Sequence, residues 1–457
     1  MVFSCQRGQA MVLSLILMTF SMMVLLFGFN AAQLNHQTTK LQYTADNTAQ
    51  SLANMVARDM NFKAYTNRAS VANQVAVAQL VGLSAWFNMA DVFADNACDA
   101  LCSIPYVGQV VNAIARAVEY INQGAQPFFE GLVYVENAML YALSFAQQAV
   151  HYAGVVSGPI SAREVVTAND PDARLDTAQN IFLGRDVADI WFNFQKRFSR
   201  SDIRDGTQYN DYIAVVGKSR DNFTKGMNYR LDRPWTWTLF PLRLTTQKAG
   251  GSDLVSNGRN KAESWTSAHT LSFWFQHYNC HGFRCRWRGG EVPLGWGGTR
   301  SDDRANMNRI NNRQYWGQSR RKNPRATRLA ARYQETRGGY DGVQPFFALD
   351  RDGDSKSQTR NITVVVSKPR NKVKTTPRLQ VGHDNTDPAI NEEMLADRMT
   401  ALASANAYYS RPRDLTAWLR RDRRHEYGNF YNPFWQARLA EPSNRVKSEV
   451  LALTKVL

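Results

Sequence analysis

Ala10 to Phe29 reads AMVLSLILMTFSMMVLLFGF, and no charged side chain occurs between Gly8 and Thr39. Twenty residues at about 1.5 Å each make a helix of about 30 Å, the thickness of a bilayer core. A cleaved signal peptide has a shorter apolar region of about 7–15 residues and then a small-x-small site. Here the run is longer, and Phe29-Asn30-Ala31-Ala32 is a poor site, so an uncleaved anchor is the better reading. Only Met1 to Gln9 precede the run, and this short tail with Arg7 is expected to stay inside while the bulk of the chain is exported.

The helix is expected to continue beyond the membrane. Leu41, Ala45, Thr48, Leu52, Val56 and Met60 recur every three or four residues, and no proline occurs before Pro105. Two readings of this stripe stand: lateral packing with other such helices, or packing against later parts of the same chain.

Residues 66–158 are rich in Ala, Val and Leu and read as a helical domain near the membrane. Gly158-Pro159 is expected to punctuate the chain. Residues 170–198 keep helical character. Tyr212–Val216, Trp235–Phe240, Thr270–Phe275 and Ile362–Val366 read as strands. Residues 282–340 read as long Gly- and Arg-rich loops, and 389–410 as a helix. The expected fold class is therefore α+β. One transmembrane helix (10–32) follows a tail (1–9) and extends as an amphipathic helix (33–65). A helical domain (66–158) and a β-containing exported part (159–457) come after it.

Charge divides along the chain. Of the net +16, residues 1–160 hold −2, and the remainder holds +18. Arg284–Arg288, Arg300–Arg337 and Arg411–Arg424 interleave with Trp287, Tyr315, Trp316, Tyr333 and Trp418. Arginine beside aromatics is the composition of phosphate contact and base stacking. It is also the ordinary makeup of a charged exported surface, which is the more economical reading. Arg320, Arg321, Lys322, Arg325 and Arg328 are the candidates for a polyanion such as DNA or acidic polysaccharide.

Cys98 and Cys102, and Cys280 and Cys285, are spaced to close local disulfides, which an exported domain favours. A four-cysteine zinc site, with His277 and His281 nearby, is the alternative. Asp350, Asp352 and Asp354 alternate as calcium ligands can, but the EF-hand glycine and glutamate positions hold Ser355 and Asn361. An acidic turn is the better reading, so no cofactor is expected. G-x-S-x-G, H-E-x-x-H and P-loop patterns are absent, which points away from an enzyme.

Arg7-Gly8-Gln9-Ala10 before the apolar helix, and Leu41-Gln-Tyr-Thr-Ala-Asp46-Asn-Thr-Ala-Gln-Ser51 after it, resemble the TadE/TadG-like proteins of Tad (Flp-type) pilus assembly. Asn61–Asn73, Tyr408–Pro412 and Tyr431–Leu439 are similar to segments of a proteobacterial branch of that group. The resemblance covers about the first 75 and the last 60 residues. It implies a structural or assembly component of the minor-pilin kind, in a bacterial inner membrane with its C-terminal part periplasmic. Its partners would be other pilus proteins, met through the N-terminal helix, with self-association among the expectations. Processing of the pilin kind would fall at Gly8-Gln9. The fifth residue after Gly8, glutamate in substrates of prepilin peptidase, is Leu13, which argues against it. The Asp-x-Ser-x-Ser metal site of some TadG-like proteins is missing.

Overall fold

The computed structural model describes residues 7–176, 179–202, 208–226, 235–256, 262–281, 284–302, 321–350, 357–369, 372, 398–411 and 426–456. It is a mixed α+β protein, with two long helices first and β-sheets in the C-terminal part. The elements begin with α1 (Arg7–Leu101), α2 (Val107–Asn169), β1 (Arg174–Leu175) and α3 (Gln179–Val187), which a π-helical stretch Ala188–Phe194 continues. Then come β2 (Gln195–Phe198), α4 (Gln208–Ser219), α5 (Asn222–Lys225), β3 (Thr236–Leu239), β4 (Leu242–Ser256), β5 (Ala262–His281) and β6 (Arg284–Arg300). The last are α6 (Pro324–Arg332), β7 (Gln334–Thr336), β8 (Phe346–Leu349), β9 (Ile362–Pro369), β10 (Arg398–Tyr409), β11 (Trp435–Leu439) and α7 (Asn444–Val456). The sheets have the orders β1-β9-β10-β11, β2-β8 and β3-β4-β5-β6-β7.

The expected extension of the first helix continues to Leu101, since no proline interrupts it. It ends where Pro105 lacks an N–H and Tyr106 takes a left-handed φ of 65°. The expected break at Gly158-Pro159 does not occur: α2 runs through it to Asn169. Gly158 faces Leu52 of α1, and this packing outweighs one lost backbone hydrogen bond.

The chain forms two compact units, neither of them one consecutive stretch. The first is 1–62 with 149–196 and 349–457; the second is 63–148 with 197–348.

In the first unit the whole stripe of Leu41, Ala45, Thr48, Leu52, Val56 and Met60 is buried, each at 2% exposure or less. The chain itself covers it, which decides against lateral packing through these residues. Gln42 Nε2 donates to the Leu402 carbonyl at 3.1 Å, and Asn61 Nδ2 to that of Trp435 at 2.8 Å, so β10 and β11 lie against α1. Residues 398–409, expected as helix, are therefore β10. Met399, Ala401, Ala403, Ala405, Ala407 and Tyr409 are buried at every second position, a strand period, and pairing with β9 and β11 overrides the helical preference of alanine. Residues 389–397 lie outside the described residues. Phe182 of α3, Val365 of β9 and Val450 of α7 form a second small core.

In the second unit Tyr212–Val216, expected as a strand, belongs to α4. Tyr209, Tyr212 and Val216 are buried at i, i+3 and i+7, a helical face. The expected loop at 282–340 contains β6, α6 and β7 instead, while 303–320 lies outside the described residues. The glycines of β6 serve close approach. A Cβ on Gly297 would lie 2.1 Å from the Ala85 carbonyl oxygen, and one on Gly295 would lie 2.6 Å from that of Met89. The strand expected at Trp235–Phe240 contains β3, and those expected at Thr270–Phe275 and Ile362–Val366 fall within β5 and β9.

Candidate functional site

The N-terminal part of α1 presents apolar side chains to every side. From Met11 to Phe29 the large ones are exposed by 47–73%, apart from the half-buried Leu26. The hydroxyls of Ser14 and Thr19 donate to the carbonyls of Met11 and Ile16, each at 2.9 Å, so they need no water. A helix apolar all round, and uncovered, is compatible with a single-pass membrane anchor. Gly8 and Gln9 lie in its first turn.

Both expected cysteine pairs are disulfide-bonded. Cys98–Cys102 closes the end of α1, with Cα atoms 4.7 Å apart and the Cys102 N–H donating to the Cys98 carbonyl at 2.7 Å. Cys280–Cys285 joins β5 to β6 at directly paired positions, with Cα atoms 4.0 Å apart. The four sulfurs are used up in pairs and do not meet as a ligand set.

Asp350 forms an ion pair with Lys196, and its N–H donates to the Phe194 carbonyl at 3.0 Å. Asp352 and Asp354 lie outside the described residues. Among the described residues no group of three or more His, Cys, Asp or Glu is arranged to hold a metal.

The polyanion candidates are only partly brought together. Arg320 lies outside the described residues; Arg321 is exposed and Lys322 half-buried, just before α6. Arg325 and Arg328 project from the outer side of α6 with Arg332. The helix start is held by Glu291, which was not anticipated. Its carboxylate accepts the N–H groups of Arg325 at 2.6 Å and Ala326 at 3.0 Å, and its carbonyl accepts from Arg325 Nη1 at 3.1 Å. A buried carboxylate on β6 thus satisfies N–H groups that the helix itself cannot.

Sequence reading also missed a buried polar ladder in the second unit. Gln126 Nε2 donates to Asn88 Oδ1 at 2.7 Å, and Asn122 Nδ2 to Asp91 Oδ2 at 2.9 Å. Arg337 Nε reaches Gln126 Oε1 at 2.7 Å. Gln147 Nε2 bonds Thr66 and Asn67 at 2.8 and 2.7 Å. Gln74 Oε1 accepts from Trp265 Nε1 at 3.0 Å and from the Tyr340 hydroxyl at 2.7 Å. The available signal was a set of uncharged amides at helical spacing within an apolar stretch. Its consequence is a mixed inner face: α2 turns Asn122, Gln126, Asn137 and Gln147 inward beside Phe129, Val133 and Leu140, and leaves Ile114, Ile121, Phe128, Val135 and Phe145 exposed.

His269 on β5 is fully buried over Gly250, stacks on Phe223 at 5.0 Å, and has no hydrogen-bond partner for either ring nitrogen. Burial, with the Lys248 charge adding to it, pushes its pKa down to about 3.

Comparison of the chain with protein-family models, with curated sequences and with solved structures returns no match.

Proposed function

We propose that this chain is a single-pass, membrane-anchored structural component of a bacterial Tad/Flp-type pilus, of the minor-pilin kind, acting by packing and not by catalysis. The observation that carries the reading is the contrast within α1. From Met11 to Phe29 it is apolar and uncovered on all sides, and from Leu41 onward its apolar stripe is buried. The Arg7-Gly-Gln-Ala start and the Leu41–Ser51 segment supply the resemblance to the TadE/TadG-like group. Two disulfides suit an oxidising exterior, so the body belongs on the periplasmic side of the inner membrane.

Fractionation of cells producing the full chain tests this. The protein is expected in the inner-membrane fraction, resistant to alkaline extraction, with its body open to protease only after the outer membrane is permeabilised. N-terminal sequencing is expected to return Met1. A cytosolic protein with reduced cysteines sinks the proposal, and a start near Gln33 makes the chain a secreted one.

A second reading, a polyanion-binding surface module, is favoured by two features. Arg325, Arg328 and Arg332 share one side of α6, and Arg243 stacks on Trp287 at 5.2 Å. It predicts binding to DNA or acidic polysaccharide that falls by orders of magnitude, ~10³ for six or more phosphate contacts, between 50 and 200 mM salt. Unchanged binding after charge reversal of Arg325 and Arg328 rejects it.

A further inference from the structure

Between Val107 and Phe145, α2 carries a seven-residue repeat on its outward side. Ile114, Ile121, Phe128 and Val135 are seven apart and exposed by 57–63%. Ala117, Gly124, Gly131 and Ala138 follow each of them by three residues, and all four are exposed. A straight helix drifts about 20° per heptad, so a seam kept over this many heptads is the pattern that a helical partner selects. At Gly124 and Gly131 a Cβ would meet nothing within 4 Å, which leaves room for a neighbour's large side chain. With Val107, Val110 and Phe145, which fall on the same seam and are exposed by 48–73%, the seven large side chains leave roughly 800 Å² of apolar surface on each chain, about what one partner contributes to a standard stable interface.

We infer that this face of α2 is the surface through which further copies of the same chain associate, in a parallel ring of three or more. The chemistry of the face selects helices over lipid. Arg116, Glu119, Glu130 and Glu136 all fall off the seam, and no Lys or Arg occurs from Ala117 to Ala162, whereas a helix lying on an anionic membrane carries many. No charge on the seam opposes a like charge on a second copy. The flanks select the number of chains. A two-helix seam has polar flanks, but here half-buried Val118 and Leu132 with exposed Met139 lie on one side, and Tyr120, Tyr134 and Tyr141 lie on the other. These tyrosines are still 48–71% exposed, although Tyr134 packs on Gly339 and Tyr141 donates to Asp341. Two helices would leave these flanks in water; three or more cover them. The parallel sense rests on the membrane-anchor reading, because all the anchors then enter one bilayer. A closed ring has no axial offset, so like residues meet.

The test uses the full chain in native membranes and in detergent, with Cys5→Ser so that the only free thiol is an introduced one. Ile114→Cys and Val135→Cys are expected each to give covalent dimers on mild oxidation, and light scattering to give a mass of three or more chains. Phe128→Glu is expected to lower dimer yield by about tenfold or more, as loss of a central interface residue does. Its helix content and native disulfides should stay unchanged. A monomeric mass, or no self-cross-link at Ile114→Cys in a folded protein, overturns the inference. Cross-linking at both sites in a protein found in the cytosol supports the seam and rejects the anchor.

Discussion

Replacing His269 with leucine is expected to abolish much of the loss of stability that the protein suffers on acidification from pH 7 to pH 4. The ring is buried, unpartnered and held near a pKa of about 3, against 6.5 when free. Below pH 6.5 the unfolded chain takes up a proton that the folded site refuses, so stability falls as pH falls and goes on falling until about pH 3. At about 1.4 kcal/mol per pH unit, the loss reaches about 3 kcal/mol by pH 4. Leucine matches the ring roughly in bulk and costs under about 1.5 kcal/mol at neutral pH. Urea unfolding of the full chain at the two pH values measures both effects. An identical pH dependence in the parent and His269→Leu proteins would show that the ring finds a partner or water.

The buried ion pair where α1 leaves the apolar segment predicts a comparable effect. Lys368 Nζ lies 3.0 Å from Asp170 Oδ2 and donates to Gln37 Oε1 at 3.0 Å, with side chains only 3% and 1% exposed for the lysine and aspartate. Lys40, the first charge after the apolar segment, approaches the same carboxylate at 3.5 Å. This cluster ties α1, the end of α2 and β9 together. Asp170→Leu strands the lysine, with Asp172 at 3.9 Å as its nearest remaining carboxylate, and is expected to cost about 3–5 kcal/mol. Adding Lys368→Met should recover most of that, because two apolar groups of similar size need no charge compensation. If the double variant is as unstable as the sum of the single ones, the pair is not the source of the effect.

Much of the architecture could be read along the chain. The apolar first helix, the stripe from Leu41 to Met60, three strands and both cysteine pairs are local patterns, each set by residues close in sequence. The misread elements have two causes: partners distant in sequence, and runs too short for periodicity to assign. Residues 398–409 are alanine-rich and prefer helix when alone, but the neighbours that make them a strand, β9 and β11, lie far along the chain. Tyr212–Val216 is a short apolar run, which periodicity alone cannot assign. The glycines of β6 suggest a loop until α1 is seen to require their missing side chains. Glu291, which holds the start of α6, lies more than thirty residues from it in sequence.

Sequence was sufficient for which segments bear apolar faces early in the chain: the uncharged run and the stripe beyond it. The tertiary structure alone decided what each face meets. Hydrophobic burial is non-directional, so a stripe states that it needs cover without naming the cover. The chain's own sheet and second helix took the stripe of α1. The buried amides on Asn88, Gln126 and Gln147 required hydrogen-bonding partners, and these came from the facing helix and from Arg337. With those amides and Phe129, Val133 and Leu140 inside, the heptad seam of α2 is the face left outward.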